Sequence, residues 1–433
     1  MTTLQITNLS HDGRGVGRDE SGKTVFIDGV LPGEIVTYTL TSKKRRYNDA
    51  QVAEIISPAA EREVPKCAHF LSCGGCSQQH IQHAVQIKAK QQSLVEQLKH
   101  FGKVEPQRLL PPLLGPIWGY RNKARLGVKF VIKKGKVLVG FREKHKSYLA
   151  DIASCEVLHP VIGSLITQLK VMIQSLAAYQ HIAQLEVAVG DDKLAVIFRN
   201  LQALNTADQQ ILQQFAQQHN FDLYLQPQGV DSISKLWPED NVQRLYYKLP
   251  DFNLQFAFHP TDFTQINPML NQAMVRQALE LMQLNTDDSV LDLFCGLGNF
   301  TLPIATKVAA VTGVEGSTTM VERAYENAKL NNITNVSFYA ADLSKDQASE
   351  LWAQNSYNKI LIDPPRSGAA EVLPLVASFR PEMILYVSCN PATLARDSGI
   401  LCHEYGYKLA ASGIMDMFPH TMHVEAMALF IKG

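Results

Sequence analysis

One cysteine stands where a nucleophile would be expected, between an apolar run and an Asn-Pro pair. Cys389 lies in the segment YVSCNP, directly after the run MILYVS. The run predicts a buried strand, and Asn-Pro predicts the start of a helix, whose N-terminus would lower the pKa of a nearby thiol. Cys389 is therefore our candidate for covalent catalysis. The alternative is a cysteine that only packs inside the sheet.

A carboxylate on the last predicted strand is the candidate partner of this thiol. Glu425, in HVEAM, opens the apolar run near the end of the chain, and we interpret it as a general base. Two other cysteines are interpreted as non-catalytic: Cys295 lies in a Gly-rich turn, and Cys402 lies among apolar neighbours on a predicted helix.

The Gly-rich turn itself predicts a site for a ligand that carries a ribose. Residues 292–300 read DLFCGLGNF, a predicted strand that leads through Gly296 and Gly298 into a helix. Glycines let the backbone approach a ligand closely, and a helix N-terminus favours negative groups. Glu315 ends the next predicted strand, 23 residues after Asp292, where a carboxylate can accept both hydrogen bonds of a ribose diol.

The two strands predicted after Glu315 also end in carboxylates, at Asp342 and Asp363. The carboxyl ends of parallel strands meet at one edge of a sheet, so these groups are expected around one crevice. Acidic helix caps would explain one or two of them. A redox dinucleotide enzyme is the alternative class. The turn, however, lacks the third glycine of the G-x-G-x-x-G fingerprint that such enzymes carry.

Four further cysteines predict a metal site. Cys67, Cys73 and Cys76 have C-x5-C-x2-C spacing, and Cys155 follows 79 residues after Cys76. Four thiolates can hold a [4Fe-4S] cluster or a tetrahedral zinc ion, and the spacing does not decide between them. His69 and His80 lie close to the first three cysteines, and because histidine is also a zinc ligand, a zinc site stays an alternative.

Positive charge is concentrated in two segments, although the whole chain is neutral, with 41 basic and 41 acidic residues. Residues 118–149 carry ten cations against one anion, a local charge of +9, on a predicted hairpin with interleaved aromatic side chains. Residues 43–47 read KKRRY, which suits phosphates and stacked bases. Both segments are expected to contact nucleic acid, and the alternative is a pair of solvated basic turns. The cations of residues 118–149 are Arg121, Lys123, Arg125, Lys129, Lys133, Lys134, Lys136, Arg142, Lys144 and Lys146.

Length and pattern predict three domains in the 433 residues. Residues 1–57 alternate short β-rich runs with Gly-rich turns, which predicts a small β-barrel. Residues 66–255 are expected to form an α+β domain that contains the cysteines and the basic hairpin. Residues 262–433 alternate apolar runs with helical patterns, which predicts a parallel sheet that two final strands complete.

The segments expected in a membrane protein or a secreted protein are not found. The sequence has no run of roughly 18 apolar residues, and its first residues lack a leader pattern. We therefore expect a cytoplasmic protein without a membrane partner, whose thiols are reduced. We also expect it to be a monomer.

Five motifs in order resemble one enzyme family. FTQIN (263–267), DLFCGLGNF, DPPR (363–366), SCNP and HVE are similar to the motifs of the RNA C5-uridine methyltransferases, which have the class I S-adenosylmethionine-dependent fold. The resemblance implies that Cys389 attacks C6 of a uracil and that Glu425 removes the C5 proton after methyl transfer. It also implies six contacts to S-adenosylmethionine, from Gln265, Phe294, Asn299, Glu315, Asp342 and Asp363.

The accessory segments resemble one branch of this family. The four cysteines are similar to an iron–sulfur site, which favours a structural [4Fe-4S] cluster over zinc, and residues 1–57 resemble a TRAM domain. A chain with both is most similar to the members that modify 23S ribosomal RNA. Modification of a different or a second uridine stays open. A non-catalytic RNA-binding or ribosome-assembly factor is also an alternative, but such a protein would not need Cys389, Glu425 or Glu315.

Overall fold

The computed structural model describes residues 3–10, 12–240 and 242–433. Its first sheet is built from the alternating runs near the N-terminus. Inward side chains such as Leu4, Val25 and Val36 form its core. The strand order is β1-β5-β6-β4-β3-β2, and only β4 and β6 run parallel. The strands are Thr3–Gln5 (β1), Asn8–Leu9 (β2), Gly15–Arg18 (β3), Thr24–Ile27 (β4), Ile35–Lys43 (β5) and Tyr47–Ser57 (β6).

The middle of the chain forms a second six-stranded sheet, in the order β13-β12-β11-β10-β8-β9, and the long apolar helix α2 packs on it. The predicted basic hairpin is present as β8 and β9. Their pairing begins with Gly127 opposite Gly140 and ends with Val131 opposite Lys136. The strands are Lys123–Val131 (β8), Lys136–Gly140 (β9), Ile182–Val189 (β10), Leu194–Asn200 (β11), Asp222–Leu225 (β12) and Ser234–Trp237 (β13). The helices are Pro160–Ser175 (α2) and Thr206–Gln218 (α3). A separate hairpin, Leu245–Leu249 (β14) and Leu254–Phe258 (β15), follows.

An earlier helix, His83–Gln97 (α1), continues as a π-helical turn at Leu98–Gly102 and leads to the short strand Arg108–Leu109 (β7). The sequence grouped these elements with residues 66–255. In the structure they pack on the C-terminal sheet, because Leu94 and Leu98 belong to its apolar core and β7 pairs in parallel with β21, Tyr407–Met415.

The C-terminal sheet confirms the predicted doubly wound α/β fold. Its order is β18-β17-β16-β19-β20-β22-β21-β7. Strands β16 to β20 run parallel to one another, whereas β22 runs antiparallel between β20 and β21. Its other strands are Ser289–Leu293 (β16), Ala310–Glu315 (β17), Val336–Ala340 (β18), Lys359–Ile362 (β19), Met383–Ser388 (β20) and Glu425–Lys432 (β22). Its helices are Pro268–Met282 (α4), Thr301–Ala305 (α5), Thr318–Leu330 (α6), Leu373–Ser378 (α7) and Pro391–His403 (α8).

Two Asn-Pro pairs begin the helices that frame the carboxyl edge of this sheet. Asn267 caps α4 by accepting a hydrogen bond from the Leu270 amide, and Asn390 caps α8 by accepting one from the Ala392 amide. Proline then occupies the first helical position in both, where its missing N–H costs nothing.

Among the described residues, no helix combines the length and the apolar character that crossing a membrane requires.

Candidate active site

The carboxyl ends of neighbouring strands bring the predicted site residues to one edge of the C-terminal sheet. Glu315 is the last residue of β17, Asp363 directly follows β19, and Cys389 directly follows β20. Strands β16 and β19 are adjacent in the sheet, as are β19 and β20. The crevice predicted from the sequence therefore has a structural basis.

The glycine-rich turn after β16 has a tightly specified backbone. Phe294 has a φ of 64°, a conformation that non-glycine residues rarely adopt, and its amide donates to the Val314 carbonyl at 2.8 Å. Gly296 and Gly298 also have positive φ. Glu315 supports the turn from the next strand, because its carboxylate accepts from the amides of Gly296 at 3.1 Å and Ser317 at 3.0 Å. These two bonds fix the carboxylate at the place where a ribose diol is expected.

Asn299 is held by two residues that the sequence analysis missed. Its amide exchanges two hydrogen bonds of 2.9 Å with the Asn271 amide, and its oxygen also accepts from the Tyr247 hydroxyl at 2.9 Å. Asn271 lies four residues after Asn267, the last residue of the FTQIN motif, so its closeness to that motif was a signal in the sequence. Tyr247 comes from β14, and no local signal connects it to the turn.

Buried carboxyl groups make this edge of the sheet electrostatically unusual. Asp292 is fully buried in β16 and accepts a hydrogen bond of 2.5 Å from the Thr301 hydroxyl. Burial raises the pKa of Asp292 to about 8, and the nearby carboxylates of Asp363 and Glu315 add to the effect. Burial raises the pKa of Asp363 to about 7. Shifts of this size are typical of functional sites.

Cys389 and Glu425 face each other across two antiparallel strands. Ser388 at the end of β20 pairs with Ala426 near the start of β22. Cys389 directly follows Ser388 in a bend, and Glu425 directly precedes Ala426 as the first residue of β22. The charge of Glu425 raises the pKa of the Cys389 thiol, so the two side chains are close. The candidate nucleophile and the candidate base are thus neighbours.

The pKa of the thiol differs from the sequence expectation. Burial raises the pKa of Cys389 to about 11, and the carboxyl groups of Glu425 and Asp363 raise it further. Burial also raises the pKa of Glu425 to about 8, with Asp363 adding to it. A helix N-terminus can lower the pKa of a thiol, but burial and two carboxyl groups, which the sequence did not reveal, raise the pKa of Cys389.

Arg366 is the cation that opposes these shifts, and the sequence analysis gave it no role. Its charge lowers the pKa of both Cys389 and Glu425. Its backbone is held by α8, because the Asn390 amide nitrogen donates to the Arg366 carbonyl at 3.0 Å. Arg396 fixes the next residue by donating to the Ser367 carbonyl at 2.9 Å. The loop therefore holds a positive charge beside the thiol.

Gln265 and Asp342 lie at the borders of this edge. Gln265 is half-buried in the segment between β15 and α4, where the Asn122 amide donates to the Ile266 carbonyl at 2.9 Å. Asp342 is exposed beyond the edge strand β18, and its carboxylate accepts from the Ser344 amide and pairs with Lys345. The structure therefore places Asp342 further into solvent than the other predicted carboxylates.

The four N-terminal cysteines surround one cavity. Cys67, Cys73, Cys76 and Cys155 line a space of about 130 Å³ together with Phe70 and Phe141. Burial raises the pKa of Cys73 to about 11 and that of Cys76 to about 12. Among the described residues, no three His, Cys, Asp or Glu side chains converge as closely as one bound ion would require.

The basic hairpin is partly neutralised by the fold. Lys134 and Lys136 both pair with Asp151, and Arg125 pairs with Glu186. Lys123 points inward, where it donates to the Asp262 carbonyl, and burial lowers its pKa to about 8. Among the described residues, exposed cations of this region that form no salt bridge are Lys129, Lys133 and Arg142, and exposed cations of the first domain include Lys43, Lys44, Arg45 and Arg46.

Comparison with known proteins identifies the family to which this chain belongs. Residues 82–433 match the model of the tRNA (uracil-5-)-methyltransferase family, and residues 2–53 match the TRAM domain. The chain therefore belongs to the tRNA (uracil-5-)-methyltransferase family and carries an N-terminal TRAM domain.

Named relatives are similar over nearly the whole chain. The 23S rRNA (uracil(1939)-C(5))-methyltransferase RlmD of Alcanivorax borkumensis is 50% identical over 99% of this chain and 96% of its own. The protein of the same name from Legionella pneumophila strain Lens is 49% identical over 100% and 97%. The crystal structure of Pyrococcus abyssi tRNA (uracil-54, C5)-methyltransferase in complex with S-adenosyl-L-homocysteine has a TM-score of 0.75 at 22% identity. It covers 99% of both chains, which confirms the fold.

Proposed function

We propose that this protein methylates C5 of a uridine in 23S ribosomal RNA, at the position named in its relatives, with S-adenosylmethionine as the donor. The observation that supports the proposal is that Cys389 follows Ser388 and Glu425 precedes Ala426, its antiparallel partner, so that the charge of Glu425 acts on the Cys389 thiol. Nearly full-length identity of about 50% to proteins named for this reaction supports the substrate.

The Cys389 thiol first gives up its proton to solvent, a step that the charge of Arg366 favours because it lowers the pKa of the thiol. The thiolate then adds to C6 of the uracil, which makes C5 nucleophilic as part of an enolate. C5 then takes the methyl group, and S-adenosylhomocysteine leaves. Glu425 accepts the C5 proton, the C5–C6 double bond forms again, and the Cys389 thiolate is eliminated. The two residues must therefore reach adjacent carbons of one ring, which suits side chains that neighbour each other across two strands.

Six residues are proposed to contact S-adenosylmethionine, which supplies the methyl group from its sulfonium when bound. Glu315 would bind the ribose diol. The backbone turn at Phe294 would let the ligand approach closely, and Asn299 would hold that turn in place through Tyr247 and Asn271. Gln265, Asp342 and Asp363 complete the proposed set. Because Asp342 is exposed and already bonded to Ser344 and Lys345, we expect its substitution to have the smallest effect.

We also propose that Cys67, Cys73, Cys76 and Cys155 hold a [4Fe-4S] cluster. A single zinc ion needs four sulfurs within about 2.3 Å of one point, whereas each iron of a cubic cluster takes a different thiolate. Four cysteines that surround a cavity fit the cluster better. The raised thiol pKa values fit as well, because iron would replace the protons of groups that burial otherwise keeps neutral. Methyl transfer has no redox step, so the role is structural.

The RNA is proposed to bind the TRAM domain and the basic hairpin. Within 1–57, four exposed cations at residues 43–46 adjoin Tyr47. Within 66–255, exposed Lys129, Lys133 and Arg142 accompany Tyr148, which is 71% exposed. Exposed cations attract phosphates, and an exposed aromatic ring can stack on a base. Residues 262–433 would then carry out the reaction.

Methyl transfer from labelled S-adenosylmethionine to isolated 23S rRNA, followed by mapping of the modified base, tests the whole proposal. Label at C5 of one uridine, at the position named in the relatives, is the expected result. Label at a second uridine would extend the proposal to two targets. RNA binding without any transfer would instead identify a non-catalytic assembly factor.

A further inference from the structure

Glu425 is the first residue of a strand, so the loop before it determines where its carboxylate lies. Residues 416–424, here named the base loop, join β21 to β22. Met415, the last residue of β21, pairs with Glu425 across the hairpin. Both ends of the base loop therefore meet at the candidate base.

A buried ion pair holds the start of the base loop from outside the methyltransferase sheet. Lys90 of α1 places its Nζ 2.6 Å from Asp416 Oδ1 and 3.1 Å from the Phe418 carbonyl. The second oxygen of Asp416 lies 2.7 Å from Nε2 of His83, also on α1. The side chains of Lys90 and Asp416 are 2% and 1% exposed. A buried pair of this kind fixes one geometry, because each charge needs the other.

The middle of the base loop is held by the segment that follows Cys76. The amides of Ser77 and Gln78 both donate to the His420 carbonyl at 2.9 Å. Gln86 connects the two segments, since its side chain donates to the Gln78 carbonyl at 3.0 Å and accepts from the His420 amide at 3.1 Å. His420 has a φ of 65° and stacks on Trp118 at 4.0 Å, so this left-handed residue is fixed on several sides.

Two further contacts join the base loop to the other domains. The Tyr120 hydroxyl, from the segment that leads into β8, donates to the Pro419 carbonyl at 3.2 Å. Gly13 of the first domain lies against Met422, because a Cβ built at Gly13 would be 3.2 Å from Met422 Cγ. Four separate parts of the chain thus contact the nine residues that precede Glu425: the first domain, the segment after Cys76, α1 and the segment before β8.

We infer that Lys90, Asp416 and Tyr120 are positioning residues for Glu425, and that they act on the proton-removal step rather than on attack or methyl transfer. The inference rests on the proposed function, since it assigns them to the same reaction. It follows from the direction of the chain: the base loop ends on Glu425, whereas Cys389 follows β20 and is fixed by the start of α8. Release of the base loop would displace the base and leave the nucleophile in place.

The test compares Lys90→Met with a matched variant, Lys359→Met. Lys359 forms an equally buried pair with Asp288 at 2.7 Å, but it lies at the start of β19, at the opposite end of the strand from Asp363. Each variant receives isolated 23S rRNA and S-adenosylmethionine labelled in the methyl group. The reactions are run at a temperature at which thermal unfolding curves show that both variants are folded. The fraction of transferred label that stays on protein after denaturation measures stalled elimination.

We expect Lys90→Met to raise the protein-bound fraction and to slow product release roughly 10- to 100-fold, because misplacing a catalytic group by about 1 Å can cost about 10² in rate. Lys359→Met should behave as wild type in both measurements. If Lys90→Met does not fold, Tyr120→Phe removes only one hydroxyl and should raise the bound fraction in the same direction.

A protein-bound fraction equal to that of Lys359→Met in the folded Lys90 and Tyr120 variants would overturn the inference. Glu425→Gln, run beside them, distinguishes the two levels of the argument. If Glu425→Gln accumulates the adduct and the Lys90 and Tyr120 variants do not, only the positioning role fails. If Glu425→Gln also releases product normally, the assignment of the base itself is wrong.

Discussion

Cys389 directly follows Ser388, and Glu425 directly precedes Ala426, the residue that pairs with Ser388 across two antiparallel strands. The candidate nucleophile follows a strand that runs toward the carboxyl edge of the sheet, and the candidate base begins a strand that runs away from it. Only an antiparallel final strand brings a residue at the start of one strand beside a residue at the end of another. The terminal hairpin of the fold therefore brings the two candidate groups together.

Substitution of Cys389 tests the nucleophile. RNA with 5-fluorouridine at the target should be trapped covalently by the wild type, because fluorine cannot leave as a proton does. Cys389→Ala should abolish the trapped complex on a denaturing gel. Cys402→Ala, a half-buried cysteine on α8, is the matched control and should trap normally. A complex that persists in Cys389→Ala would show that another group attacks C6.

Substitution of Glu425 should separate the two halves of the reaction. In Glu425→Gln the amide keeps the size of the side chain but cannot accept the C5 proton. Attack and methyl transfer proceed, elimination stalls, and natural RNA that is already methylated stays bound through Cys389. Turnover should fall by roughly 10²–10⁴, the loss typical of a missing general base. The adduct is measured by labelled methyl that remains on denatured protein. Normal turnover would point to Asp363 or water as the proton acceptor.

The raised pKa of Glu425 also predicts a stability effect with a definite sign. Burial raises its pKa to about 8 from an ordinary value of 4.5, so the folded protein binds this proton more tightly than the unfolded chain. The contribution to stability is complete below pH 4.5 and is lost as the pH rises to 8 and above. Glu425→Gln removes this loss, on the order of a few kcal/mol. Thermal unfolding should show a higher Tm for the variant at pH 8.5, and little difference at pH 5.

Much of the framework could be predicted from the sequence, because apolar runs and turn residues are local signals. The parallel strands β16 to β20, the terminal hairpin, and the positions of Cys389 and Glu425 at strand ends follow from such runs. Motif spacing also placed Glu315 beside the glycine-rich turn, where its hydrogen bond to Gly296 is found.

Effects that depend on tertiary packing could not be predicted in this way. The high pKa of Cys389 arises from burial and from two carboxyl groups on other strands. The hydrogen bond from Tyr247 to Asn299 joins residues 52 positions apart, and the pair of Lys90 and Asp416 joins residues 326 positions apart. No sequence period connects such residues, so only the folded chain shows them.

The cysteine cavity predicts a coloured protein. Anaerobically purified wild type should be brown with broad visible absorbance, and Cys73→Ala should lose that absorbance, because one iron would lack its thiolate. Cys295→Ala, a buried cysteine outside the cavity, should keep the colour. Iron and sulfide analysis checks the assignment. Colourless wild type with one equivalent of zinc would contradict it.

The exposed cations of the basic hairpin that form no salt bridge should matter more for RNA binding than the exposed cations that do. The triple substitution of Lys129, Lys133 and Arg142 by Gln removes three exposed charges, so RNA affinity should fall whatever the sequence. The slope of log affinity against log salt should flatten by roughly 0.7–0.9 for each RNA phosphate that the protein no longer neutralises.

The double substitution of Lys134 and Lys136 by Gln is the control for this prediction. Both lysines already pair with Asp151, so an RNA phosphate must compete with that carboxylate for their charge. The double variant should therefore change the salt slope less for each charge removed. Affinity titrations at several salt concentrations measure both slopes. If the triple variant kept the wild-type affinity and slope, the hairpin would be a solvated surface and the RNA would bind elsewhere.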